Sequence, residues 1–238
     1  MTLARRAAAE ALGTAFLLAA VVGSGIMGER LAGGNVALAL LANTLATGAA
    51  LVALILAFGP ISGGHYNPAV TLAQAIHARI SAREAAAYVA AQLAGAFVGV
   101  VCAHLMFGAP LLAASTHARS GMAQAFSELV ATFGLVSVIF ACSRRRPDAV
   151  AYAVGAYITA AYWFTASTSF ANPAVTLARA ATDTFSGIRP TDVPAFLAAQ
   201  CAGAALATGL FRWLDPDDAK GRFRSALASS ADAERFAS

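Results

Sequence analysis

Two asparagines in this sequence, Asn67 and Asn172, are placed to recognise a small molecule by hydrogen bonding. Each begins the same heptapeptide, Asn-Pro-Ala-Val-Thr-Leu-Ala, which occupies 67–73 and recurs at 172–178. Asparagine is favoured as a helix N-cap and proline as the first helical residue, so each copy predicts a helix start. When the side-chain oxygen caps the helix, the amide nitrogen is left to donate a hydrogen bond. The motif therefore indicates solute recognition without covalent catalysis.

The two helices that these motifs begin are short. The runs 67–77 and 172–182 allow about three turns, roughly 15 Å, against about 30 Å for the hydrocarbon core of a bilayer. The start of a helix carries about half a positive charge. Where the two starts meet, a cation or hydronium faces a barrier, whereas a neutral molecule that accepts hydrogen bonds does not.

The composition places the chain among membrane proteins with several spans. Its 238 residues are 59% hydrophobic and 12% charged, which is too apolar for a soluble domain. The net charge of +4 does not indicate a nucleic-acid partner, because the arginines lie at the ends of apolar segments. The three cysteines lie within apolar runs and predict no disulfide framework. We predict neither a cofactor nor a metal site.

Apolar segments long enough to span a bilayer occur three times in each half of the chain. They are 8–28, 35–58, 83–107, 121–142, 149–167 and 192–214. With the short helices included, this predicts a first repeat at 1–107 and a second at 121–214, followed by a cytosolic tail at 215–238. Because three spans are an odd number, the repeats must be inverted and their half-helices must approach the midplane from opposite faces.

The distribution of positive charge predicts the orientation in the membrane. If both termini are cytoplasmic, 12 of the 16 lysines and arginines lie on the cytoplasmic side. Arg30, Arg119, Arg179 and Arg189 are then the four on the outer side. The positive-inside rule therefore predicts that both termini are cytoplasmic. We expect a multi-pass protein of the inner membrane.

The segments that lead into the two half-helices, 62–66 and 168–171, are predicted to have irregular backbone. Such backbone is tolerated at membrane depth only inside protein or beside a water-filled cavity, so we expect a polar cavity there. Glu10 and Glu128 occupy corresponding places in the first and fourth spans. They could form a proton relay, or they could accept hydrogen bonds from the two irregular segments. Their symmetric placement favours the structural role.

These features together resemble the aquaporin family, also called major intrinsic proteins, over roughly residues 8–214. The resemblance is carried by both Asn-Pro-Ala motifs, the Ser-Gly-Gly-His segment at 62–65, the two glutamates and the inverted repeats. It implies an all-α membrane protein with six tilted helices around a pore and two re-entrant half-helices. It also implies a homotetramer, passive conduction, and Asn67 and Asn172 meeting at the middle of the pore.

The sequence departs from the family pattern at the outer constriction. Most members carry an arginine directly after the second Asn-Pro-Ala, and here that residue is Val175. The resemblance assigns the other constriction positions to Thr47, Ala160 and Ser169, which are all small. The acidic residue usual in glycerol facilitators is replaced by Thr176. The predicted filter is wide and uncharged, and it looks like that of the bacterial aquaporins linked to arsenic resistance.

Several further residues are candidates for the pore. We expect His65, Gly63, Gly64 and Phe170 to line it or to pack the irregular segments, and His65 could alternatively gate it by protonation. Arg179 lies two turns outward from Asn172, on nearly the same helix face. It could extend to the outer surface, which we favour, or partly replace the missing arginine.

The sequence therefore predicts a passive channel for small uncharged solutes in the lipid bilayer. With a wide filter, we expect it to conduct neutral metalloid hydroxides such as arsenite, together with glycerol and water. One alternative is a general water and glycerol channel. Another is a proton-coupled secondary transporter that uses Glu10 or Glu128, and a third is a purely structural membrane protein.

Overall fold

The computed structural model describes residues 1–214, and every regular element in that range is a helix. The predicted tail at 215–238 lies outside the described residues. The helices, in chain order, are α1 (Leu3–Leu31), α2 (Val36–Ser62), α3 (Pro68–Ile76), α4 (Ala82–Phe107), α5 (Met122–Arg145), α6 (Val150–Phe164), α7 (Pro173–Arg179) and α8 (Val193–Leu214), with 3-10 turns at Pro147–Ala149 and Pro190–Asp192. The all-helical membrane fold, with its predicted order of elements, is confirmed.

Two helices are shorter than the sequence predicts. Helix α6 has 15 residues, about 22 Å, instead of the run 149–167, because Thr165 leaves the helical conformation and starts the irregular segment before the second motif. Helix α7 has 7 residues and ends at Arg179, before the predicted end at 182. Among the described helices, α1, α2, α4, α5 and the run Pro190–Leu214 are long and apolar enough to cross a membrane.

Corresponding helices of the two halves pack in corresponding ways. Helix α1 packs on α4 and α2, and α5 packs on α8 and α6. Glycines allow the close crossings: Gly95 faces the carbonyl of Ala11, and Gly203 faces the carbonyl of Leu129. Small residues at crossings let helix backbones approach each other in lipid. The two packed halves enclose the segments that carry the asparagine motifs.

The outward-facing surface of the helices is apolar. Large hydrophobic side chains remain exposed on it, including Phe16, Leu45, Phe126, Trp163 and Trp213. Exposed apolar area of this extent on a single chain marks a surface that contacts lipid or other protein. The polar side chains treated below lie inside, where the folded chain supplies their hydrogen-bond partners.

Candidate functional site

Asn67 and Asn172 cap the two short helices and also join the two halves of the molecule. The side-chain oxygen of Asn67 accepts from the Ala69 N–H, and that of Asn172 from the Ala174 N–H. The Asn67 amide nitrogen donates to the Ala171 carbonyl at 2.7 Å, and the Asn172 nitrogen donates to the Tyr66 carbonyl at 2.8 Å. One N–H of each amide is thus used across the junction, and the other remains for a solute.

The irregular segments before the motifs share a left-handed backbone at three matched positions. The residue just before each asparagine has a positive φ, 46° at Tyr66 and 47° at Ala171. The other matched pairs are Gly63 (97°) with Thr168 (59°), and Gly64 (63°) with Ser169 (47°). Glycine adopts this conformation readily, whereas other residues resist it by about 1–2 kcal/mol. The second segment therefore needs additional contacts to hold its shape.

Two buried carboxylates supply such contacts. Glu128 accepts the Phe170 and Ala171 N–H groups at 2.8 Å each, and also the Gln200 side-chain amide at 2.6 Å. Glu10 makes the equivalent contacts in the first half, to the backbone N–H groups of residues 65 and 66 and to the Gln92 amide. Both glutamates are 0% exposed. This geometry favours the structural role over a proton relay.

A single elongated cavity runs past both asparagines. Its end near α7 is lined by Thr47, Ser169, Phe170, Val175 and Arg179, and we call this the outer end. At the opposite end the wall includes Gly63, Gly64 and His65. Apart from Ala160, every residue that the sequence analysis placed in the pore lies on this cavity wall. The Ser169 hydroxyl, buried at the outer end, has no hydrogen-bond partner.

The placement of Ala160 at the constriction is corrected by the structure. Ala160 is exposed on the outside of α6. The residues that α6 presents to the cavity are Val150, Val154, Ile158 and Tyr162. The Tyr162 hydroxyl lies 3.4 Å from the Thr47 hydroxyl. The outer wall is therefore not built of small side chains alone. These residues of α6 follow one another at intervals of four, so they lie on one face of the helix.

His65 lies on the cavity wall with its ring held from two sides. Its Nδ1 is 3.0 Å from the Thr71 hydroxyl, and its ring stands edge-on to Tyr88 with centroids 5.3 Å apart. Its backbone N–H donates to Glu10. This placement agrees with a lining role, and the gating hypothesis stays a prediction.

The outer end contains two buried arginines. Arg179 is 1% exposed; its Nε donates to the Ser186 carbonyl, and its guanidinium lies 3.4 Å from the Phe170 ring centroid. The interpretation that Arg179 extends to the outer surface is therefore wrong. Its neighbour Arg119 was not identified as a site residue, because the sequence gives no signal that a loop arginine folds inward.

Arg119 connects the loop before α5 to the irregular segment of the second half. Its guanidinium donates to the Gly187 and Ser167 carbonyls at 2.8 and 3.2 Å, and to the Thr168 hydroxyl at 3.3 Å. It also lies 5.0 Å from the Phe170 ring centroid. Burial lowers the pKa of Arg119 to about 10, which leaves it charged at neutral pH. Arg119 thus holds Thr168 in its left-handed conformation.

Asn172→Asp should increase the leak of monovalent cations roughly tenfold, which needs a barrier change of only about 1.4 kcal/mol. The new carboxylate offsets the positive helix start and removes the donor to the Tyr66 carbonyl. Ion conductance in planar bilayers measures the effect. Asn43→Asp is the matched control, because Asn43 is also a buried asparagine whose amide donates to a backbone carbonyl, but its own side chain does not line the cavity. Unchanged conductance in folded Asn172→Asp would contradict the mid-pore placement.

The chain is similar in sequence and in fold to aquaporins and aquaglyceroporins. A family model described as major intrinsic protein matches residues 1–148 and 143–237. The aquaglyceroporin AqpS of Rhizobium meliloti (strain 1021) is 59% identical over 212 residues, which are 89% of this chain and 91% of the relative. Bovine aquaporin-4 is 30% identical over 210 residues, 79% of this chain and 61% of its own length. The X-ray structure of the aquaglyceroporin from Plasmodium falciparum superposes with a TM-score of 0.74 at 22% identity, over 91% of this chain and 99% of that one.

Proposed function

Since the chain belongs to the major intrinsic protein family, a family of channels, we propose that its cavity is a passive pore that conducts glycerol, water and neutral metalloid hydroxides such as arsenite. The name of the Rhizobium relative, an aquaglyceroporin, supports the glycerol and water part of this proposal. The metalloid part depends on the chemistry of the outer wall.

The observation that carries the metalloid proposal is Val175 on the cavity wall. Valine offers no hydrogen-bond donor and no charge, and the hydroxyls of Thr47 and Ser169 give the nearby wall a weakly polar character. At neutral pH we expect arsenite to be As(OH)3, an uncharged and compact polyol mimic. Such a solute accepts hydrogen bonds from the hydroxyls of this wall and needs no counter-ion, and because it is neutral the charge of Arg179 at the same end does not repel it. Because Tyr162 also lines the cavity, the argument depends on Val175 and not on four small side chains.

Val175→Arg tests this proposal. An arginine at this position adds bulk and fixed donors at the outer end, so glycerol and arsenite flux should fall about tenfold or more while water flux falls far less. Stopped-flow permeability of proteoliposomes over a series of solutes measures all three. Val175→Met, which is long but uncharged, separates the effect of bulk from that of charge. If both solutes cross the Val175→Arg pore as fast as the parent, the metalloid argument fails and a general water and glycerol channel remains.

A proton-coupled transporter is the second candidate, and the structure gives it little support. Both oxygens of Glu10 and both oxygens of Glu128 already accept backbone and side-chain donors. A relay group must change its protonation during transport, which would break those contacts. Concentrative uptake of a neutral solute under a pH gradient would favour the transporter, whereas flux that only equalises concentrations favours the channel.

Assembly and orientation complete the proposal. We infer a homotetramer in the inner membrane with both termini cytoplasmic, and two inverted repeats at 1–107 and 121–214. The excess of arginine and lysine on the predicted cytoplasmic side supports the orientation. The equivalent contacts of Glu10 and Glu128 support the duplication.

A further inference from the structure

We propose that Arg179 is the residue of the outer pore that excludes cations and contacts the solute, supplied one helical turn beyond Val175. The inference depends on the proposed pore and names a specificity-determining residue within it. Arg179 would thus supply the positive charge that most family members place at the position of Val175.

The geometry of α7 brings the two residues together. Arg179 follows Val175 by four residues, so both side chains leave the same face of the helix. Long side chains on a helix lean toward its N-terminus and cover the preceding turn. The Arg179 side chain therefore extends back over the turn that carries Val175. Both residues line the same cavity end, together with Ser169 and Phe170.

The contacts of Arg179 leave part of its donor capacity unused. Its Nε donates to the Ser186 carbonyl, and its guanidinium face lies on the Phe170 ring. Its Nη1 is buried and has no hydrogen-bond partner. A buried donor of a charged group that lacks a partner costs free energy. An oxygen atom of a solute or water in the adjoining cavity would relieve that cost, so the guanidinium favours oxygen-bearing neutral molecules at this point.

The outer end carries two positive charges that form no ion pair in the part of the chain that the structure describes. Arg119 lies against the same phenyl ring as Arg179. Within residues 1–214, neither guanidinium forms an ion pair with a carboxylate. The nearby Glu128 directs its oxygens to the backbone of residues 170 and 171 and to Gln200. A cation that entered here would meet two fixed positive charges in a region of low dielectric constant.

The two arginines have different roles. All three nitrogens of the Arg119 guanidinium donate to the protein, and Arg119 does not lie on the cavity wall. It positions the irregular segment of the second half. Arg179 lies on the wall and has an unused donor. The selectivity role therefore belongs to Arg179.

The experiment compares cation and glycerol permeability in reconstituted protein. Arg179→Met keeps the length and the contact with Phe170 but removes the charge, and it should increase methylammonium and sodium permeability about tenfold, a barrier change of about 1.4 kcal/mol. Arg179→Lys restores the charge and should restore cation exclusion, which a merely structural role would not predict. Arg30→Met is the matched control, because Arg30 lies 5.3 Å from the Phe107 ring but is exposed and away from the cavity; it should leave cation permeability at the parent level.

A second variant decides the question if Arg179→Met does not fold. Ser169→Asp places a carboxylate on the same wall, at a left-handed position that aspartate tolerates. It should increase cation permeability by neutralising the local field. The inference is overturned if folded Arg179→Met excludes cations as well as the parent does, or if Arg179→Lys does not restore exclusion. It is also overturned if Ser169→Asp excludes cations as well as the parent. Absence of neutral-solute flux in the parent protein would instead overturn the proposed pore, so the two failures are distinguishable.

Discussion

Glu10→Ala should leave little folded protein in the membrane. The carboxylate of Glu10 accepts the Ser62 hydroxyl, the His65 and Tyr66 backbone N–H groups and the Gln92 side-chain amide. Each buried donor that loses its partner costs about 1–3 kcal/mol, so the free energy of unfolding should fall by at least about 3 kcal/mol. The yield of monodisperse protein in detergent and its thermal unfolding midpoint measure the loss.

The controls for this prediction separate structure from proton transfer. Asp148→Ala removes an exposed carboxylate that lies 3.9 Å from the Arg146 Nε, and it should change stability little. Glu10→Gln keeps one acceptor oxygen and should fall between the parent and Glu10→Ala. A stable Glu10→Ala protein that conducts normally would show that the irregular segment does not need the carboxylate. A stable protein that had lost pH-driven uptake would favour the relay.

Gly95→Ala should destabilise the crossing of α1 and α4. A β-carbon built on Gly95 would overlap the carbonyl oxygen of Ala11. Backbone cannot rotate away as a side chain can, so the two helices must separate, at a cost of about 1–3 kcal/mol. We expect a lower unfolding midpoint and weaker binding of α1 to α4, measured by thermal unfolding and by limited proteolysis.

Gly209→Ala is the matched control for the crossing. Gly209 lies in α8, and a β-carbon there would meet no atom within 4 Å. Alanine is a better helix former than glycine by about 0.5–1 kcal/mol, so this variant should be as stable as the parent or slightly more stable. If Gly95→Ala and Gly209→Ala behave alike, the close crossing contributes less than the structure implies.

The order of the helices and the capping role of both asparagines could be predicted from sequence, because each depends on local chemistry. Apolar length defines a span, and the pair Asn-Pro defines a helix start wherever it occurs. Glu10 could be assigned a structural role for a related reason. An intramembrane carboxylate needs donors, and the irregular segment before Asn67 needs an acceptor.

The rotation of α6 could not be predicted in the same way. Its buried and exposed faces are both apolar, with Ile158 inside and Trp163 outside, so hydrophobic periodicity does not distinguish them. The spacing from the second Asn-Pro-Ala motif predicts Ala160 in the cavity wall. Ala160 lies two residues from Ile158, however, and two residues along an α-helix lead to the opposite face. The face depends on packing against α2 and α5, which involves distant parts of the chain.

The burial of Arg179 also depends on distant residues. An arginine at the end of a short helix ordinarily extends its charge into water. Here the Ser186 carbonyl and the Phe170 ring hold it inside. Neither contact follows from sequence spacing, because both partners lie in irregular segments whose course is set by Glu128 and Arg119.

The reciprocal hydrogen bonds of the two asparagines have a consequence for biosynthesis. The Tyr66 carbonyl accepts from Asn172, and the Ala171 carbonyl accepts from Asn67. When the ribosome has produced only the first half, the Tyr66 carbonyl lacks this donor, and an unsatisfied backbone group within a bilayer costs several kcal/mol. The first re-entrant segment must therefore stay hydrated, or not yet adopt its final conformation, until more than a hundred further residues have been synthesised. The midpoint of the cavity is then among the last parts of the nascent chain to acquire its final form.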